Sequence, residues 1–148
     1  QAWVARARAA LDNYESNIRI TELLAQQYGF RAYFLWQPCL VYGAMPVGPF
    51  EKALQAMGED QRAITSVYEE AERRSVASGK FIFLGHVFDQ VSEPVYVDWV
   101  HLAPRGNEIV AAAVANRLLP LLLPKSAPKS PSGDSPSGER PPFQIGLK

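Results

Sequence analysis

The sequence predicts an α/β domain built on a parallel sheet with crossover helices. Two helix-glycine-strand units in succession, at about 3–36 and 59–84, carry that prediction, and a third apolar helix opening on Pro104 supports it. The 148 residues, 47% of them hydrophobic, suffice for one globular domain and not comfortably for two.

Trp3, Ala7, Leu11, Tyr14, Ile18, Ala25 and Tyr28 recur at spacings of three, four and seven, one face of a long helix. Gly29 stands where a left-handed residue ends a helix. Arg31-Ala-Tyr-Phe-Leu-Trp36 is apolar on both faces and predicts a buried parallel strand. After a Pro/Gly-rich connection from Gln37 to Pro49, a short helix is expected over Phe50–Met57. The unit then repeats: a helix from about Glu59 to Ser78 with Ile64, Val67, Tyr68, Ala71 and Val76 on its apolar side, Gly79 as its stop, and Lys80-Phe-Ile-Phe-Leu84 as the second strand. Val95-Tyr-Val97 can add an edge strand at most. Pro104 marks the first turn of the last helix, which should run to about Leu119 with Val110, Val114 and Leu118 packed on the sheet.

Composition changes after Pro120. Residues 121–148 hold six Pro, five Ser and three Gly, half of the segment, and bury too little apolar surface to offset their ordering entropy. A disordered tail is expected there, with a ligand for an SH3- or WW-type groove as the alternative. The remaining 120 residues carry 11 basic against 13 acidic side chains. That balance excludes an electrostatically driven nucleic-acid binder, so no nucleic-acid partner is expected. The stretch Ile109–Leu123 is broken by Asn116, Arg117 and Pro120 and is too short for a transmembrane segment. The single Cys39 permits no internal disulfide and does not report a redox compartment, and localisation stays open. Two strands alone make a poor open sheet, because each needs neighbours and both faces need cover. The start at Gln1 without a leader pattern fits a longer chain whose N-terminal half supplies the rest of the sheet.

The segment Tyr96-Val-Asp98-Trp-Val-His101-Leu-Ala-Pro-Arg-Gly106-Asn107-Glu108 carries the chemistry. Asp98 and His101 lie between the last strand and the last helix, the end of an open α/β sheet where ligands gather. A carboxylate three residues before an imidazole can accept its Nδ1–H, fix the tautomer and leave Nε2 as a general base. Taken alone the spacing is weak: Asp98 capping a turn beside a structural His101 satisfies it equally.

This block resembles the C-terminal catalytic block of the SGNH (GDSL-type) hydrolases through Asp98, His101, Leu102, Pro104, Gly106 and Asn107. Upstream, the helix to Gly29, Phe34-Leu-Trp-Gln37-Pro38, Phe81 to Phe88 and Glu93-Pro-Val-Tyr-Val-Asp98 are similar in the same order, over about the second half of a family domain. The resemblance implies a flavodoxin-like three-layer sandwich that hydrolyses acyl esters. A Ser attacks the carbonyl, the imidazole takes its proton, the Asp orients the imidazole, and Gly and Asn blocks hold the oxyanion. By that resemblance the catalytic residues here are His101 and Asp98, no cofactor is needed, and the substrate is a small-molecule, carbohydrate or lipid ester. The family's Ser, Gly and Asn blocks have no counterpart, so the chain by itself should be inactive.

Gly133-Asp134-Ser135 spells the nucleophile tripeptide but follows the His in the Pro/Ser-rich segment, without the strand-to-helix setting a nucleophile needs. Ser16, Ser66, Ser75 and Ser78 fall on predicted helices. His86 and Asp89, with Asp98 and His101, would make a two-His, two-carboxylate set for a divalent metal, although such loop residues are more often solvated and no metal site is assigned. Gly43 and Gly48 lack the spacing of a phosphate cradle. Cys39 reads as a buried hydrophobe rather than a thiol nucleophile, and Trp99 as either a pocket wall or a packing residue. Two rivals stand beside the hydrolase: a non-enzymatic flavodoxin-like interaction module and a metal-dependent hydrolase using His86 and His101.

Overall fold

The computed structural model describes residues 2–46, 48–56 and 61–123. In chain order these form α1 (Ala2–Tyr28), β1 (Leu35–Trp36), α2 (Pro49–Ala56), α3 (Gln61–Ser78), β2 (Ile82–Phe83) and α4 (Pro104–Leu122). The strands pair in parallel, Leu35 opposite Ile82 and Trp36 opposite Phe83. The chain is thus mostly helical around a small parallel sheet. The Pro/Ser/Gly-rich segment from 124 onward, with Gly133-Asp134-Ser135, lies outside the described residues, as do the expected end of α2 at Met57 and start of α3 at Glu59.

Both helix stops form as the sequence requires. Gly29 has φ +72° and Gly79 φ +62°, and their amides donate to the carbonyls of Ala25 and Ser75, each at 2.9 Å. A Cβ at either position would meet nothing within 4 Å, so the glycine is demanded by backbone conformation alone.

The main core lies between α1, α3 and the sheet. Leu11, Ile18, Ala71 and Phe81 are buried there, with Tyr14, Phe34, Trp36, Val67 and Phe83 packed around them. The aromatic rings meet edge-on, Tyr14 at 5.1 Å from Trp36 and 5.2 Å from Phe81. Arg74 of α3 clamps the helices together. It reaches Asp12 of α1 at 2.8 Å and Glu70 at 2.8 Å, and donates to the Arg8 carbonyl at 3.2 Å. The Arg73 and Arg74 guanidiniums hold the Glu70 carboxyl down at about 2. Tyr28 and Val76, expected on the packed faces, are instead exposed. A second cluster gathers Leu40, Phe88, Val95 and Tyr96 with Leu54 of α2 and Ile109 and Val110 of α4.

Several expectations change. The strands are shorter than the 31–36 and 80–84 runs, and Ala32 to Trp36 are half-buried rather than buried. With a single neighbour, a strand keeps its ladder only where the register holds, and here helices cover mainly one face. Val95–Val97 adds no edge to the sheet: Tyr96 pairs antiparallel with Leu102. The helix α4 continues past Pro120 to Leu122, two residues into the expected tail. It packs on the second cluster through Ile109 and Val110, which like Val114 and Leu118 are half-buried, and none of Val110, Val114 and Leu118 joins the core beside the sheet. Among the described residues no helix is long and apolar enough to cross a membrane.

The open edge of β1 is managed by side chains. The carbonyls of Phe34 and Trp36 accept from Ile82 at 2.8 Å and Leu84 at 3.0 Å, so in a parallel ladder the Leu35 carbonyl faces away from β2. The Tyr14 hydroxyl donates to that carbonyl at 3.1 Å, and the Tyr68 hydroxyl donates to the next one of the same parity, Gln37, at 3.0 Å. A buried carbonyl left without a partner costs about 1–3 kcal/mol. Tyr14→Phe and Tyr68→Phe should each destabilise the chain by about 1 kcal/mol in urea denaturation. The double variant should self-associate on sedimentation at concentrations where the parent does not, because its bare edge invites strand pairing.

Candidate active site at the Asp98–His101 turn

The turn that carries Asp98 and His101 is closed by a two-armed antiparallel clip. Val97 donates to the His101 carbonyl at 2.8 Å, and Ala103 donates to the Val95 carbonyl at 2.8 Å. Across the tip, Asp98 Oδ1 accepts the backbone N–H of Val100 at 2.8 Å and of His101 at 2.7 Å, so one oxygen satisfies both turn amides. Its other oxygen, Oδ2, lies 2.7 Å from His101 Nδ1. The spacing read from the sequence therefore produces the carboxylate–imidazole pair, and the turn-capping role offered as its rival is filled by the same carboxylate.

Those bonds hold the Asp98 carboxyl down at about 2, from an ordinary value of 3.8. The His101 and Val100 amides are the leading causes, followed by the imidazole. The ring is presented rather than buried, with 77% of the His101 side chain exposed, and Nε2 has no hydrogen-bond partner among the described residues. An ionised Asp98 on Nδ1 favours the tautomer that leaves Nε2 unprotonated, so it can accept a proton from a group brought to it.

The start of α4 fixes the turn from behind. Pro104 opens the helix, and Ala103 at its N-cap offers no side-chain cap. Gly106 is buried against the clip: a Cβ there would collide with the Val95 carbonyl oxygen and lie 3.3 Å from Leu102 Cβ. The glycine is thus required by close approach. Arg105 ties the flanks, reaching Glu93 at 2.7 Å and Glu108 at 3.0 Å. Asn107 Nδ2 stands 3.4 Å from the Leu102 carbonyl, a weak contact.

The other candidates separate. His86 is not near a metal set: its Nδ1 lies 3.0 Å from Asp89 and its Nε2 3.0 Å from Glu72. Glu72 also accepts from the Tyr42 hydroxyl at 2.5 Å, a bond that, with His86, lowers its carboxyl. Both ring nitrogens of His86 are thus committed to a strap between α3 and the loop after β2. Among the described residues no group of three or more His, Cys, Asp or Glu is placed to hold a metal ion. Glu72 and Tyr42 were invisible as partners of His86, because neither lies within a turn or helical spacing of it. Cys39 is buried, and desolvation pushes its thiol up, the behaviour of a packing residue. Ser16, Ser75 and Ser78 sit on helices and donate to the carbonyls of Asp12, Glu72 and Arg74. Trp99 and Val100, the residues between the pair, form one wall of a groove of about 340 Å³ whose other wall is α3.

Comparison with protein-family models, with curated proteins and with solved structures returns no match for this chain. The site therefore rests on its own geometry.

Two outcomes test that geometry. Because Asp98 is depressed, its bonds are fully present above its ordinary 3.8 and are lost as pH falls through about 2. The Val100 and His101 amide protons should hold their shifts in an NMR titration well below the ordinary 3.8 and move together with a midpoint at about 2. Gly106→Ala should cost about 1–3 kcal/mol of stability by thermal melting, as an overpacked methyl forces helix and clip apart.

Proposed function

We propose that the chain contributes the acid–base half of an SGNH-type ester hydrolase, with His101 as general base and Asp98 as the acid that orients it. The observation that carries the reading is the 2.7 Å Nδ1–Oδ2 contact with Nε2 unpartnered among the described residues. The parallel pairing of β1 with β2 across the α2–α3 crossover supports assigning these residues to the C-terminal part of a flavodoxin-like three-layer sandwich.

On this reading a serine hydroxyl from the family's Gly-Asp-Ser block, which has no counterpart in residues 1–123, meets Nε2. As Oγ bonds to the ester carbonyl carbon, its proton passes to Nε2 and Asp98 stabilises the imidazolium. Collapse of the tetrahedral intermediate breaks the C–O bond, and the alkoxide leaves with the proton from Nε2. Water then repeats the sequence on the acyl-serine: Nε2 takes one of its protons, the acid is released, and Oγ recovers the proton. The substrate is an acyl ester, and no step calls on a metal or organic cofactor.

A second reading, a non-enzymatic interaction module on the same scaffold, has one observation in its favour. No hydroxyl or thiol among the described residues bonds Nε2, and the hydroxyls of Ser16, Ser75 and Ser78 are spent on helix carbonyls.

Turnover separates the two. In the full-length gene product His101→Ala should lower kcat/KM by about 10²–10⁴ on both p-nitrophenyl acetate and p-nitrophenyl octanoate, with the melting curve retained. Residues 1–148 alone should hydrolyse neither ester faster than free imidazole at equal concentration. Undiminished turnover by His101→Ala rejects the base assignment, and a gene product without esterase activity favours the module.

A further inference from the structure

The groove beside the turn lies between an element that carries the candidate base and one that does not. From α3 come Ala63, Ile64, Val67 and Tyr68; facing them are Trp99 and Val100, with Gln37 at the carboxyl end of β1 closing one side. None of these side chains is charged. The Tyr68 hydroxyl is already donated to the Gln37 carbonyl at 3.0 Å, so what Tyr68 has left to offer a ligand is chiefly its ring. An ionic or heavily hydroxylated group placed there would lose hydration without gaining partners, whereas a hydrocarbon chain would not.

Position adds to chemistry. Trp99 and Val100 are the only residues between Asp98 and His101, so the wall and the pair are one rigid turn, held by the Asp98 bonds to the Val100 and His101 amides. The groove itself is not lined by His101, whose place beside it follows from its following Val100 in the chain. The volume, about 340 Å³, is near the lower end of the roughly 300–1,000 Å³ of small-molecule sites. At roughly 30 Å³ per non-hydrogen atom, the share of one water in the liquid, it takes about ten such atoms. An acetyl group would leave most of the groove empty.

We infer that this groove is the acyl-binding site, shaped for a single uncharged aliphatic or aryl chain of about eight to ten non-hydrogen atoms whose ester carbonyl lies at His101. The inference rests on the hydrolase reading of Asp98 and His101 and adds the substrate class to it: medium-chain or aromatic acyl esters rather than acetyl esters. Trp99, open between pocket wall and packing residue on sequence grounds, becomes the wall that ties acyl recognition to the base.

The test uses the 148-residue chain and the product acids hexanoate, octanoate and decanoate, each below its micellar concentration, followed by methyl NMR of Ile64, Val67 and Val100. Each added methylene should tighten binding about threefold to fourfold until the groove is full, with the shift changes confined to those methyls and the Trp99 indole. Ala63→Phe from one wall and Val100→Phe from the other should each weaken octanoate at least tenfold. Either variant suffices if the other fails to fold. A flat chain-length series, or shifts centred on the exposed Leu119, Leu121, Leu122 and Leu123, overturns the groove assignment and leaves the His101→Ala turnover result standing. Retained turnover in His101→Ala overturns the hydrolase reading and leaves the titration result standing.

Discussion

Backbone polar groups that no strand ladder reaches organise this molecule. A two-stranded sheet satisfies only the carbonyls and amides between its strands, and every remaining group near the carboxyl ends needs another partner. Side chains supply them. Tyr14 and Tyr68 donate to Leu35 and Gln37, and Gln55 donates to Leu40. Asp89 accepts from the Ala44 amide, Glu51 from Gly48, and Asp98 from Val100 and His101. These contacts tie the end of β1 and the loops to helices, join one loop to another, or close a turn on itself, so the loops at this end are held by directional bonds as well as by apolar burial. That explains how a sheet of two-residue strands supports an ordered candidate site.

Asp98 shows how structural and chemical demands combine in one group. Its Oδ1 closes the turn, and because that bonding requires the ionised form, it keeps the carboxylate charged far below neutrality. The charge held there for the turn is what faces His101 through Oδ2. A turn-capping carboxylate and a partner for the imidazole are therefore not alternatives here. The bonds that fix the turn also fix the charge and the ring. Behind them, the absence of a Cβ at Gly106 lets α4 lie against the Val95 carbonyl and leaves the clip one position to occupy.

Legibility followed the range of the interactions. Gly29 and Gly79 were readable because a left-handed stop depends on neighbours within one turn, and the Asp98–His101 contact because both residues share a four-residue turn. What failed was non-local. The run 31–36 has the composition of a central strand, yet strand length depends on partners that composition does not name, and only Leu35 and Trp36 pair. Val95–Val97 chose Leu102, a partner made available by the turn between them, over the sheet. Glu72 meets His86 across 14 residues, and the α3 wall meets Trp99 across about 35, with no periodic signal linking them. Pro120 misled in the other direction. A proline removes one amide donor and strains the preceding turn, but near a helix end that loss is small enough for α4 to continue to Leu122.

Tyr68 connects the open sheet edge to the proposed substrate groove. Its hydroxyl occupies the Gln37 carbonyl, its ring lines the groove, and that ring lies tilted against Tyr42 with centroids 5.2 Å apart, the Tyr42 hydroxyl bonding Glu72 in the His86 strap. If a further strand paired with β1, as the sandwich reading requires, its amides would compete for the carbonyls that Tyr14 and Tyr68 now hold. The exchange is nearly neutral in hydrogen-bond energy, since one donor replaces another on each carbonyl.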